Sequence, residues 1–214
     1  MKTKISVLLL TAILLLTLTA CKGNSATPET TAAQTQQEGT TEGATEEMTE
    51  AATESTEGKV LVVYFSATGT TKGVAEKIAK IENADLYEIK AAQEYTSADL
   101  DWHDSNSRTT KEQNNKSARP AIASETLSLD GYQTIYIGYP IWWGEEPRIM
   151  DTFAESYDFN GITMIPFCTS GGSGIGRSGK NLEENAGSGN WLDGERFGGN
   201  ASESDLQSWI DSVK

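Results

Sequence analysis

Residues 66 to 71 read Ser-Ala-Thr-Gly-Thr-Thr, four hydroxyls and a glycine within six positions. Ser66, Thr68, Thr70 and Thr71 can each donate a hydroxyl proton, and Gly69 lacks the Cβ that would block close approach. If a helix follows, its unpaired first-turn N–H groups point at the same spot. Such a cradle suits a dianionic phosphate without any lysine or arginine. A plainer alternative is a strand-to-helix turn whose hydroxyls only cap the helix.

Two later stretches bear on that choice. Pro140-Ile141-Trp142-Trp143-Gly144 offers broad aromatic faces, and Thr169-Ser170-Gly171-Gly172-Ser173-Gly174 offers small residues whose backbone can lie close against a flat heterocycle. Either has an ordinary explanation alone, since paired indoles can plug a sheet and a Gly/Ser run can be a turn. All three together describe a site for a planar, phosphorylated ring system. Other chemistry is thinly represented. His103 is the only histidine, on a polar stretch, and Cys21 and Cys168 are the only cysteines. That leaves no ligand set for a metal, no disulfide framework and no catalytic triad or carboxylate pair.

The elements that must position these loops can be read from apolar patterning. Val60 to Phe65 is an unbroken apolar run suited to a strand covered on both faces. Val74, Ile78 and Ile81 recur at helical spacing after the hydroxyl loop. Asp85 to Ile89 is a short strand, and residues 91 to 120 then read as a long irregular loop in which Tyr95 and Trp102 can cover a ligand or pin the loop. Strands follow at Thr134 to Tyr139, Ile162 to Cys168 and Trp191 to Phe197, with an irregularity expected near Pro166. Between them a helix opens at Pro147 with Ile149, Met150 and Phe153 buried, and another begins near Ile175 and includes Leu182. Ser202 and Asp205 form a capping box for a closing helix striped by Leu206, Trp209, Ile210 and Val213. The alternation predicts an α/β fold, a doubly wound parallel sheet of five strands with helices on both faces. In such sheets the ligand lies beyond the carboxyl ends of the strands, where the three loops would meet.

The remaining 58 residues of the 214-residue chain read differently. Lys2 and Lys4 precede an apolar run from Ile5 to Leu18, which ends at Leu18-Thr19-Ala20-Cys21 and is short for a membrane span. Residues 1–21 thus resemble a bacterial lipoprotein signal peptide, which implies lipidation of Cys21 and a lipid-anchored, extracytoplasmic location at the cell membrane. Residues 22–58 are Thr-, Glu- and Ala-rich without an aromatic, and eight glutamates against Lys22 leave a charge of −7. Such a segment is expected to be a disordered acidic tether. Residues 59–214 carry 14 Lys or Arg against 23 Asp or Glu, a charge of −9, which argues against nucleic acid as a partner.

Over residues 59–214 the three loops together resemble those of short-chain flavodoxins, with their Ser-x-Thr-Gly-x-Thr, Pro-Ile-Trp-Trp-Gly and Thr-Ser-Gly-Gly-Ser-Gly sequences. The resemblance implies strand order 2-1-3-4-5, flavodoxins being a known instance of the switch-point rule, and FMN as the cofactor. It implies that Ser66, Ala67, Thr68, Gly69, Thr70 and Thr71 hold the FMN phosphate. Pro140, Ile141, Trp142, Trp143 and Gly144 would flank the isoalloxazine, with one tryptophan stacked on it. Thr169, Ser170, Gly171, Gly172, Ser173 and Gly174 would line its pyrimidine edge, and Tyr95 joins the candidate cofactor-binding residues. Thr70 stands where the family usually has asparagine, and the loop around Tyr95 departs from long-chain relatives, which leaves the outer stacking partner open. The expected function is electron transfer by a membrane-tethered carrier of low potential, with redox partners unspecified. The alternatives are an FMN-dependent NAD(P)H or quinone oxidoreductase on the same fold and a flavin-free adhesion or scaffold lipoprotein.

Overall fold

The computed structural model describes residues 58–214. The expected signal peptide, the lipidation expected at Cys21 and the expected acidic tether lie outside the described residues. The chain runs β1 (Lys59–Tyr64), α1 (Thr70–Glu82), β2 (Asp85–Glu88), α2 (Arg108–Asn114), β3 (Tyr132–Pro140), α3 (Arg148–Glu155), β4 (Thr163–Thr169), α4 (Ser178–Ala186), β5 (Asn190–Trp191), β6 (Glu195–Phe197) and α5 (Glu203–Val213). The strands form one parallel sheet in the order β2-β1-β3-β4-β5, and β6 also pairs with β4.

Because side chains alternate along a strand, the uninterrupted apolar run of β1 feeds both faces of the sheet. Leu61, Val63 and Phe65 join Ile149, Met150, Phe153 and Leu182 in one core, under α3 and α4. Val62 and Tyr64 join Val74, Ala75, Ile78, Leu206 and Ile210 in the other, under α1 and α5. The expected doubly wound fold is therefore present, and the capping box at Ser202 and Asp205 makes both of its hydrogen bonds.

Pro166 explains the break in the fifth strand. Met164 is paired with Trp191 and Phe167 with Glu195, so two residues of β4 face three of the neighbouring strand in the gap between these pairs. Proline has no N–H to give that neighbour, and the extra residue bulges. Gly194 lies so close there that an added Cβ would fall 2.5 Å from the Pro166 carbonyl oxygen. Trp191 to Phe197, expected as one strand, is accordingly two short pieces, β5 and β6.

Two other expectations need correction. The stretch from 91 to 120 is not irregular throughout, since it holds α2, capped by Ser107, whose side chain accepts from the Thr110 N–H. Polar composition hid this helix, which has no apolar stripe because its buried face consists of Thr109, Thr110 and Gln113. α4 starts at Ser178, three residues later than Ile175, after the glycine-rich stretch has turned.

Candidate functional site

β1, β3 and β4 deliver their three loops to the same edge of the sheet. A cavity of about 580 Å3 is lined there by Thr68 and Thr70 from the first loop, Pro140, Ile141 and Trp142 from the second, and Thr169, Ser170 and Gly171 from the third. A smaller compartment of about 340 Å3 shares Thr68, Ile141 and Trp142 and continues toward Trp143, Leu100, Trp102 and Thr109.

Within the first loop, Gly69 caps α1 in the left-handed conformation (φ 85°) without a side-chain cap. The first-turn N–H groups are thus left for another acceptor. Ser66 Oγ is buried and has no hydrogen-bond partner among the described residues, an uncommon condition for a hydroxyl. Thr68 and Thr70 are exposed, 3.3 Å apart at their hydroxyls. Thr71 is spoken for, because its Oγ1 lies 2.8 Å from Thr169 Oγ1 and ties the first loop to the third. Ala67 packs its methyl against the core beneath α3 and α4.

The second loop is a tight turn. Trp142 N–H donates to Glu145 O at 2.9 Å and Glu145 N–H to Trp142 O at 3.1 Å, closing Trp143 and Gly144 between them. Both central residues have positive φ, 50° at Trp143 and 83° at Gly144, the handedness of a type I′ turn. Glycine takes this shape freely, whereas a bulky residue there is strained and worth a functional explanation. Trp143 is 47% exposed, while Trp142 lies edge-on against Phe65 and Tyr95 with centroids 5.7 and 5.3 Å away.

The turn is held from behind by α2. Gln113 Nε2 donates to Trp142 O at 3.0 Å and to Glu146 O at 3.1 Å, and the backbone carbonyl of Gln113 accepts from Arg148 at 3.2 Å. Arg148 is buried and bridges Glu146 (3.3 Å) and Asp151 (3.4 Å), with Glu145 as a further partner. Burial, with the charge of Asp151 adding to it, pushes the Glu146 carboxyl up to about 7.

Tyr95 lines neither cavity. Its hydroxyl donates to Glu112 at 2.7 Å, the Arg108 guanidinium sits 3.9 Å over its ring, and burial together with Glu112 raises its pKa strongly. It pins the loop, the other role weighed for it. Gly144, Gly172, Ser173 and Gly174 are exposed and outside the lining of both cavities. Ser170 Oγ accepts from the Gly172 N–H at 3.2 Å and shapes the third loop.

Sequence patterning missed one wall of the larger cavity. Arg196, Gly198, Gly199 and Asn200 line it from the tip of the fifth strand, so the expectation of a cradle without positive charge needs revision. The signal was available, because every strand tip of a parallel sheet faces the same edge, yet only three tips were considered. Gln113 and Arg148 had no such signal. Among the described residues, no cluster of His, Cys, Asp and Glu could hold a metal, and no helix is long and apolar enough to cross a membrane.

Comparison with known proteins agrees with this architecture. A Bacteroides uniformis protein, described provisionally as a flavoprotein, has a crystal structure similar to this one. It is 49% identical, with a TM-score of 0.69, and the match covers 72% of this chain and 98% of that one. A provisionally described flavoprotein of Bacteroides eggerthii is 45% identical, with a TM-score of 0.69 and coverage of 73% and 98%. A flavoprotein from Lactobacillus acidophilus, solved in complex with FMN, is 24% identical, with a TM-score of 0.56 and coverage of 72% and 99%, a likeness of fold. No curated protein matches the chain. The sequence profile of the flavodoxin family matches residues 59–213, and the chain therefore belongs to that family.

Proposed function

We propose that the chain binds FMN in the larger cavity and serves as an electron-transfer flavoprotein held outside the cytoplasmic membrane by a lipid on Cys21. The observation that carries the cofactor reading is the convergence of three strand-end loops on one cleft, the first of which also holds a buried hydroxyl, Ser66 Oγ, without a partner among the described residues. The residues fit the group. Ser66, Thr68 and Thr70 and the open first turn of α1 supply donors for a phosphate, and Arg196 adds a cation to the same cleft. Ile141 and Trp142 present apolar surface to a ring, and Thr169 to Gly171 leave room for its polar edge. The Lactobacillus relative, with FMN in its crystal structure, supports the assignment.

When bound, FMN supplies the redox chemistry. The chain's part is to bind it, exclude water from one side and set the charge around it. Arg196 is the one charged side chain among the residues that line the cleft, in a domain of charge −9, so added electron density on the ring meets little positive charge. A low potential, suited to electron donation, is the expected result. Purified protein should be yellow, and apo-protein should take up one equivalent of FMN with quenching of flavin fluorescence. Failure to bind FMN would refute the cofactor reading, and fast multi-turnover oxidation of NADH would replace the carrier with a reductase. Cys21→Ser should move the protein from the membrane to the soluble fraction.

A further inference from the structure

We infer that the smaller compartment beside the flavin cleft is a second binding site, for one uncharged, planar aromatic molecule of one or two fused rings, a naphthoquinone being the type. The inference rests on the proposed flavin site only in taking the neighbouring cleft to be occupied by FMN.

Three large apolar side chains are exposed among the described residues, Leu86, Trp102 and Trp143, and two of them line this single cavity. Scattered exposed apolar residues need no explanation, but two indoles at the mouth of one pocket do. Both stand on a hydrogen-bonded backbone frame. Trp143 stands at a positive φ inside the type I′ turn, where its size is a liability to the fold. Trp102 belongs to a loop fixed by Asp104 N–H to Asp101 O (3.2 Å), Thr109 N–H to Asp99 O (3.1 Å) and Thr109 Oγ1–H to Asp99 O (2.6 Å). The His103 ring lies 3.4 Å from the indole of Trp102 and braces it. Rings displayed on a fixed frame lose little conformational freedom when they stack on a ligand, which favours binding.

The lining selects the class of ligand. Leu100, Ile141 and Trp142 complete an apolar wall, and no Lys, Arg, Asp or Glu is in it, so a charged ring would be desolvated without a counter-charge. Thr109 has committed its proton to Asp99, and Thr68, the other hydroxyl of the lining, is assigned to the flavin phosphate, so the compartment offers a ligand apolar contact and stacking with no hydroxyl proton to spare. A volume of about 340 Å3 is at the small end for ligand sites and excludes a dinucleotide. Trp142, Ile141 and Thr68 line both cavities, so a molecule here would be a neighbour of the flavin.

The test is equilibrium dialysis of the FMN-loaded full chain against menadione and against menadione sulfonate, with FMN retention read by absorbance. One equivalent of menadione should bind with FMN retained, the sulfonate should bind at least tenfold more weakly, and Trp102→Ala should weaken menadione by about tenfold while FMN affinity stays within twofold. A thermal melt of Trp102→Ala checks that the exposed side chain is dispensable to the fold. Release of FMN by menadione would assign the compartment to the flavin itself and overturn the inference. So would absent binding, equal binding of the sulfonate, or indifference to Trp102→Ala. If the chain holds no FMN, the flavin reading fails by itself, and the same titration on the flavin-free chain decides the second site.

Discussion

Trp143 gives the sharpest prediction, because its backbone and its side chain can be perturbed separately. At φ 50° an L-residue in the left-handed region costs roughly 1–2 kcal/mol. Trp143→Ala and Trp143→Gly both delete the indole, so lost packing cancels in their difference and the backbone remains. Glycine escapes the left-handed cost but adds about 0.4–1 kcal/mol of conformational freedom to the unfolded chain. The balance leaves Trp143→Gly more stable than Trp143→Ala by about 0.5–1 kcal/mol, the reverse of the usual order of these residues. Trp143→Asn should fall near glycine, since Asn-Gly is the favoured pair for this turn. Urea unfolding of the three variants, read by far-UV circular dichroism, measures the differences directly. An alanine variant equal to or more stable than the glycine variant would mean that the turn relaxes and that Trp143 is not held under strain. All three should bind menadione more weakly than the parent chain, because the ring they lack lines the smaller compartment.

Four further outcomes are expected. Gln113→Ala strands the carbonyls of Trp142 and Glu146 and should cost about 2–4 kcal/mol of stability, with weaker FMN binding as the turn loosens, measured by urea unfolding and FMN titration. Glu146, held near 7 when folded, keeps its proton at pH values where the unfolded chain has lost it. Its contribution to stability is therefore full below the ordinary carboxylate range and is lost as the pH rises through 7, so the urea midpoint should drop more from pH 5 to 8 in the parent than in Glu146→Gln. Arg196→Ala should weaken FMN binding several-fold and flatten its salt dependence, and an unchanged titration at low salt would remove Arg196 from the phosphate's surroundings. Cys168 is buried, with its thiol pushed up to about 12 by burial, so in the Cys21→Ser chain a thiol reagent should label it only after denaturation.

What could be read from residue order follows from which forces are local. β1 is a continuous apolar run and β3 and β4 are short, largely apolar stretches, so all three declare themselves, as do the capping box of α5 and the hydroxyl loop before α1. α2 stayed hidden because its buried positions are Thr109, Thr110 and Gln113, which join a polar network and leave no apolar period to detect. The Gln113–Arg148 clamp crosses 35 residues, and Arg196 reaches the cleft only once the fifth strand has been laid beside β4. No local pattern encodes such distant pairings. The left-handed Trp143 was equally invisible, since tryptophan followed by glycine does not announce a type I′ turn as Asn-Gly does.

The interruption opposite Pro166 has a consequence for the molecule's company. An outermost strand with a long, straight row of free amides invites a second chain to zip alongside it, and from there to fibres. Here that border is cut into segments of two and three residues with a kink between them, and the opposite border, β2, is four residues long. Even crowded against its own copies, the domain offers only short or interrupted borders to an incoming strand.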